Sequence, residues 1–403
     1  LFGERLQIGL VGKPSSGKST LFSALTLVDV EMANYPFTTI EPNKGTGFVR
    51  IECAEKFFGV KCNPRQGYCI NGTRFVPTEL IDVAGLVPGA HEGKGLGNKF
   101  LDDLRQADAL IHVIDASGST DAEGKNVGLG NHDPCKDVAF LANEIDLWFL
   151  GIIEKNWAKI GRVPIAEKSK RVTAILQALS GLGAKQIHVE KALDKCLLAE
   201  KKFNEWEKED MKNFATEMRK MSKPIVVAAN KIDLKGAEEN AENLRKKYPK
   251  LEIFKTSAVA ELALKKAAKA GDIDYIPGAD SFKIIKKIGV KQSKGLEYIM
   301  EKVLTKFQST GVQQALEKTV FNALGYIAIF PGGIKKLSDS EGRVLPDCFL
   351  MPKGSTTLDF AYKLHTDIGD NFIRAIDVKT KKMVGKEHEL KHGDVIEIIF
   401  NKR

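Results

Sequence analysis

Near its start the chain carries Gly12-Lys13-Pro14-Ser15-Ser16-Gly17-Lys18-Ser19-Thr20, and no other stretch restricts its fold so tightly. Leu6 to Val11, just before it, has the length and composition of a buried strand. Leu21, Phe22 and Leu25, just after it, are spaced as on one face of a helix. Strand, G-x-x-x-x-G-K-[ST] and helix in that order make a phosphate loop. Gly12 and Gly17 let successive N–H groups curl around a phosphate with no Cβ in the way. The start of the helix adds its partial positive charge. Lys18 can reach the β- and γ-phosphates of a bound nucleotide, and the Ser19 hydroxyl can ligate Mg²⁺. The loop implies a nucleoside triphosphate without saying which one.

Candidate partners follow at suitable distances. Glu79 to Gly85 reads as a buried strand ending in D-x-x-G. Asp82 there can hold the magnesium through water, and the Gly85 N–H can face the γ-phosphate. Between the loop and that strand lies Asn34-Tyr35-Pro36-Phe37-Thr38-Thr39, where a threonine can complete the metal's coordination. Ile225 to Ala229 is a second buried strand, running into Asn230-Lys231-Ile232-Asp233. A carboxylate at Asp233 accepts from both the ring N–H and the exocyclic amine of guanine. Adenine lacks that pair of donors and leaves the carboxylate poorly paired, which discriminates strongly. Lys231 can lie along the base plane. Thr256-Ser257-Ala258 follows a short apolar run and suits a backbone contact to the guanine carbonyl. All five elements stand in the order of a GTPase.

At this point the text resembles a known family. Asn34 to Gly45 (NYPFTTIEPNKG) and Asp82 to Leu104 (DVAGLVPGAHEGKGLGNKFLDDL) are similar to the Obg/YchF group of translation-factor-related GTPases, closest to its archaeal and eukaryotic YchF-like branch. The resemblance covers nearly the whole chain. It implies a GTPase domain with a helical insertion, a C-terminal TGS domain, ribosome or other structured RNA as partner, and slow hydrolysis used as a switch. Residue by residue it implies Gly12, Gly17, Lys18, Ser19 and Thr20 as the phosphate cradle, with Lys13, Pro14, Ser15 and Ser16 completing the loop, and Thr39 as the magnesium threonine. Some relatives alter the base-reading motif and prefer ATP; the motif is intact here, so GTP and GDP are the expected nucleotides. Relatives with an asparagine in the phosphate loop recruit a monovalent cation, but Ser15 stands there, so potassium activation is not expected. Leu86 follows Gly85 where many GTPases have a water-orienting glutamine. His91, in the glycine-rich stretch Gly89 to Gly97, is a candidate for approaching the γ-phosphate, a solvated loop histidine being the alternative.

The remaining text divides clearly. Ser117 to Pro134 is rich in Gly, Asn and Asp and reads as a mobile loop. Val138, Leu141, Ile145, Trp148 and Ile152 then recur at helical spacing, as do Val172, Ile175 and Leu179. Gly151 to Lys223 holds sixteen basic against ten acidic residues, with Lys168, Lys170 and Arg171 as the densest knot, which a phosphate-binding face or a solvated helix surface explains equally. Residues 261–322 read as helical. In the last 80 or so residues, strand-like runs flank one helix, which suggests a ubiquitin-like β-grasp module. Pro352 to Gly369 resembles the TGS domain of threonyl-tRNA synthetases and stringent-response enzymes. Ser355 or Thr356 is placed to cap the helix, His365 suits a structural role, and Lys379, Lys381, Lys382 and Lys386 form a basic turn.

The fold class expected is therefore α/β: a P-loop domain over 1–115 and 223–270, a helical insertion over 116–222, a helical bridge over 271–322 and a β-grasp TGS domain over 323–403. The 403 residues are 43% hydrophobic and 28% charged, with a net charge of +9, which excludes wholesale disorder. No apolar run approaches the ~18 residues of a membrane span, and no secretory signal is visible, so a cytoplasmic protein is expected. The six cysteines never form C-x-x-C. Three crowd into Cys53, Cys62 and Cys69, where a zinc or redox site stays open, but their spacings match no standard zinc pattern, so reduced thiols are the favoured expectation. The functional expectation is a Mg²⁺-dependent GTP-binding switch of low turnover. Its rivals are an ATP-preferring hydrolase, a nucleotide-stabilised RNA scaffold and a small-molecule kinase.

Overall fold

The computed structural model describes residues 6–27, 43–83, 97–164 and 167–401. Thr39, Gly85, Leu86 and His91 lie outside them. The chain opens with β1 (Gln7–Val11), then α1 (Lys18–Thr26), β2 (Lys44–Glu52), the single turn α2 (Glu55–Phe58), β3 (Tyr68–Ile70) and β4 (Thr73–Asp82). Next come α3 (Gly97–Gln106) and β5 (Ala109–Asp115). Four helices follow: α4 (Pro134–Ile160), α5 (Lys168–Ala178), α6 (Gln186–Lys195) and α7 (Lys208–Ser222). The chain then returns through β6 (Ile225–Asn230), α8 (Ala237–Lys247), β7 (Ile253–Lys255) and α9 (Ala258–Lys269).

The strands make a seven-stranded sheet in the order β2-β4-β1-β5-β6-β7, with β3 added on β4. β1 is parallel to both β4 and β5, and β5, β6 and β7 continue parallel; β2 and β3 run antiparallel to β4. All seven residues of β5 are buried, as a central parallel strand covered on both faces requires. Because the parallel strands share a direction, the phosphate loop after β1 and the strand ends Asp82, Asp115, Asn230 and Lys255 come to one edge. That carboxyl edge, where the strand order reverses, is where open α/β sheets bind ligands.

The helical part packs on one face of the sheet: Trp148, Phe149, Ile175, Phe203, Trp206 and Phe214 are buried in one cluster with Val11, Ile81, Phe100 and Leu110. Asp146 on α4 accepts from Arg219 at 2.7 Å and from Thr216 at 3.0 Å on α7. The densest basic knot is partly internal. Arg171 is buried, donating to the carbonyls of Ala199 (2.7 Å) and Lys201 (2.9 Å) and lying 4.3 Å over the Phe203 ring. Lys168 pairs with Glu200 at 2.6 Å, and Lys170 pairs with Glu167. Lys223 is also internal, its ammonium held by the carbonyls of Arg105 and Ala107. Part of the local excess of positive charge is therefore structural. Arg171→Ala is expected to lower unfolding free energy by about 2–3 kcal/mol, because two buried carbonyls lose a charged donor. Urea denaturation measures it, and a loss under about 0.5 kcal/mol would show the guanidinium to be dispensable.

After α9 the chain adds the small hairpin β8 (Ile273–Asp274) and β9 (Lys283–Ile284), then α10 (Val290–Ile299), which continues through one widened turn into α11 (Thr305–Phe307), then α12 (Val312–Lys318). The last domain contains β10 (Tyr326–Pro331), β11 (Phe349–Pro352), α13 (Thr357–Leu364), α14 (Thr366–Asp370), β12 (Phe372–Asp377), β13 (Lys382–Val384) and β14 (Val395–Phe400). Its sheet runs β11-β10-β14-β12-β13, with β10 and β14 parallel in the middle, over a core of Ile329, Met351, Phe360 and Leu390. This is the β-grasp arrangement. Thr356 is the cap of α13: its hydroxyl accepts from the Asp359 N–H, and the Asp359 carboxylate returns to the Thr356 N–H at 2.7 Å. His365 joins α13 to α14, its Nδ1 accepting from the Asp367 N–H at 3.1 Å, a structural role as expected.

The two sheets share a core. Val49, Ile51 and Val76 from the first pack in one cluster with Phe330, Leu345, Cys348 and Val395 from the second. Arg74, fully buried in β4, donates to the carbonyls of Leu345 (3.0 Å) and Pro346 (2.7 Å).

Candidate nucleotide-binding site

The turn after β1 is shaped by close approach. A Cβ on Gly12 would meet the Val113 carbonyl oxygen at 2.4 Å, and one on Gly17 would meet the Asn230 side chain at 2.2 Å. Gly17 has φ +93, in the left-handed region, and Ser15 holds φ +61 beside it. Lys18, Ser19 and Thr20 open α1, so their N–H groups are at the positive end of the helix dipole. Ser16 is buried and its hydroxyl has no hydrogen-bond partner among the described residues. An anion accepting from this turn supplies what that hydroxyl lacks, so the residues fit a phosphate. Lys18 pairs with Asp82 across the gap between the β1 and β4 strand ends. The lysine and the carboxylate that the motifs assign to phosphate and metal thus already face each other.

Asn230 is the joint between the two halves of the site. Its Nδ2 donates to the Ser16 carbonyl at 3.0 Å, and its Oδ1 accepts from the Ala258 N–H at 3.0 Å. One side chain therefore fixes the phosphate loop to the start of α9. Asp233 accepts from the Ser257 hydroxyl at 2.8 Å, and Ser257 in turn caps α9 by accepting from the Ala260 N–H. Asn230, Asp233, Ser257 and Ala258 are thereby gathered on one rim.

Two residues of the motifs turn elsewhere. Lys13 does not aim at the cradle: its ammonium is buried, 2.7 Å from the Thr120 carbonyl and 2.8 Å from Asp137. Lys231, at φ +62, sends its ammonium to the Asp115 carboxylate at 2.8 Å. Asp115 was not among the candidates from motifs. It ends β5, is fully buried, and also accepts from the hydroxyls of Ser117, Ser119 (2.7 Å) and Thr120 (2.9 Å). Burial works to raise its carboxyl, but the hydrogen bonds from Lys231, Ser117, Ser119 and Thr120 prevail and hold it at about 2. The signal was available: an acidic residue at the end of a buried strand that is apolar but for His112, followed by Ser, Ser and Thr, has few other ways to be satisfied.

These bonds correct the reading of residues 117–134 as a mobile loop. The segment is folded on itself through Val127 N–H to Ser119, His132 N–H to Gly118 and Asp121 N–H to Lys125. It also rests on the phosphate loop, since a Cβ on Gly124 (φ +82) would meet the Pro14 carbonyl oxygen at 2.6 Å. Turn-rich composition described its backbone correctly and its order wrongly. The side chain that orders it comes from a strand end outside the segment.

Comparison with known proteins agrees with this geometry. A family model described as a 50S ribosome-binding GTPase matches residues 7–143, one described as an Obg-like GTPase G4 motif-containing domain of YGR210-like type matches 228–332, and the TGS domain matches 336–400. A GTP-binding protein of Methanocaldococcus jannaschii is 49% identical over 97% of this chain and 98% of its own. A ribosome-binding ATPase YchF of Bacillus subtilis is 27% identical over 98% of this chain and 99% of its own. The crystal structure of a GTP-binding protein from Pyrococcus horikoshii superposes with a TM-score of 0.78 at 38% identity, covering 98% of this chain and 100% of that one.

Proposed function

Because this chain belongs to the Obg/YchF-like family of P-loop GTPases with a C-terminal TGS domain, we propose that it is a Mg²⁺-dependent GTP-binding switch of low turnover that works on the ribosome or a related structured RNA in the cytoplasm. The observation that carries this reading is the Asn230 bridge from Ser16 to Ala258, which locks the phosphate loop and the base rim into one unit.

In this reading the turn from Gly12 to Thr20 wraps the phosphates with its N–H groups. Lys18, paired with Asp82 here, is the residue that would reach the β- and γ-phosphates, leaving the Asp82 carboxylate available to the metal. Ser19, Asp82 and Thr39 are the residues that would hold Mg²⁺, which supplies charge neutralisation between the phosphates. Lys18 and the loop amides stabilise the charge that develops as water attacks the γ-phosphate. Gly85 contributes an N–H, and His91 is the weakest member of the set. Asp233, oriented by Ser257, reads guanine, and Ala258 offers its backbone to the base carbonyl. We read the chain as a G domain over 1–115 and 223–270, an insertion over 116–222, a bridge over 271–322 and a TGS domain over 323–403. On the last, Arg374, Lys381, Lys382 and Lys386 are exposed around the β12–β13 hairpin and suit an RNA backbone.

An ATP-preferring hydrolase is the second reading, favoured by the name of the Bacillus subtilis relative. Calorimetry of GTP against ATP on wild type and Asp233→Ala separates the two. GTP preference of roughly 100-fold or more, lost in the variant, is the expected result. Equal or tighter ATP binding by the wild type transfers the assignment to the second reading. Co-sedimentation with ribosomes in the GTP and GDP states then tests the partner. Equal binding in both states argues against a switch.

A further inference from the structure

Three of the cysteines meet in space although their spacing follows no familiar pattern. Cys53 lies just past β2, Cys62 in the irregular segment after α2, and Cys69 within β3. Glu55 joins them from the first position of α2. One ligand atom from each of these residues lies within 4.8 Å of every other. Cys53 and Cys62 are buried, their sulfurs 3.7 Å apart, and the Cys69 sulfur is 3.4 Å from Glu55 Oε1.

The 3.7 Å and 3.4 Å separations are close to the edges of a tetrahedron around zinc. Bond lengths of about 2.3 Å to sulfur and ~2.1 Å to a carboxylate oxygen give edges of about 3.8 Å between two sulfurs and ~3.6 Å between sulfur and oxygen. Glu55 is also oriented for the task. Its Oε2 accepts the Cys62 N–H at 2.8 Å, which leaves Oε1 turned to the thiols. Thiolate donors select zinc over the hard cations that a nucleotide site uses.

We propose that Cys53, Cys62, Cys69 and Glu55 form a structural zinc site. It staples the segment between β2 and β3, on which the TGS domain docks. From Gly59 to Gly67 that segment has no helix or strand, and its backbone reaches across to the other domain: Asn63 N–H donates to Val344 and Arg65 N–H to Pro346, both at 2.8 Å. The Arg65 side chain pairs with Asp347 at 2.6 Å. With no helix or strand of its own, the segment would gain from the metal a cross-link at both ends and in the middle, besides these contacts to the other domain. The nucleotide site takes no part in this argument.

The test is the zinc content of the full-length protein, purified in reductant without chelator and dialysed, read by mass spectrometry of the metal. About one zinc per chain is expected, falling to background in Cys62→Ser and Cys69→Ser. Cobalt supplied in place of zinc should give the intense visible bands of a tetrahedral thiolate site, weakened in Glu55→Gln, which keeps all three thiols and sits at a half-exposed position. Removing zinc with a strong chelator should speed tryptic cleavage after Lys61 and leave circular dichroism unchanged. Wild type without stoichiometric zinc, zinc kept equally by Cys62→Ser and Cys69→Ser, or a disulfide between Cys53 and Cys62 would each overturn the proposal.

Discussion

Lys18→Ala is expected to slow GTP turnover by roughly 10²–10³-fold, the cost of removing one aimed donor from developing phosphate charge. The fold should hardly notice. Lys18 and Asp82 are both partly open to solvent, and an ion pair in that setting contributes at most about 1 kcal/mol. A large loss of rate with near-native stability is what distinguishes a phosphate-binding lysine from a structural one. Single-turnover hydrolysis with Mg²⁺, alongside a urea melt, reads both quantities. A variant that turns over within a factor of two of wild type would remove Lys18 from the chemistry.

Asp115→Ala should do the reverse. It strips a buried acceptor from three hydroxyls and from the Lys231 ammonium, and breaking such a charged network costs about 3–5 kcal/mol. The pH dependence carries the sign. The carboxyl lies at about 2 when folded against its ordinary 3.8. A carboxyl that is more acidic in the folded state contributes its stability above the unfolded value and loses it as pH falls through the folded one. The wild type should therefore lose about 2 kcal/mol from this group between pH ~4 and ~2. Asp115→Asn, already without the charge, should be weaker at neutral pH and flatter across that window. Parallel acid titrations of stability test this. Superimposable curves would mean that Lys231 and the hydroxyls do not hold the carboxyl down.

The architecture was legible because its main determinants are local. A strand, a glycine turn and a helix can be read from a dozen residues, and the five motif elements then order the sheet. The capping of α13 by Thr356 was legible for the same reason, since cap and partner are three residues apart. What escaped was long-range. Arg171 looked like part of a solvated knot because its acceptors, the carbonyls of Ala199 and Lys201, lie about thirty residues on. The partners of the Lys13 and Lys231 ammonium groups were out of reach for the same reason, since nothing nearby reveals Thr120, Asp137 or Asp115. The cysteine spacing hid a juxtaposition in the same way: the end of β2, α2, a loop and β3 bring Cys53, Glu55, Cys62 and Cys69 together, which no compact-turn pattern describes.

Strand β4 touches both ends of the molecule's chemistry. Arg74, near its start, grips two carbonyls of the TGS domain, and Asp82, its last residue, faces Lys18. Extended backbone of that length spans roughly 25–30 Å, and β1, β2 and β3 hold it by hydrogen bonds. Its pairing with β2 runs in one register from Thr73 to Ile81, so a single continuous strand carries both the grip on Leu345 and Pro346 and the carboxylate that faces Lys18.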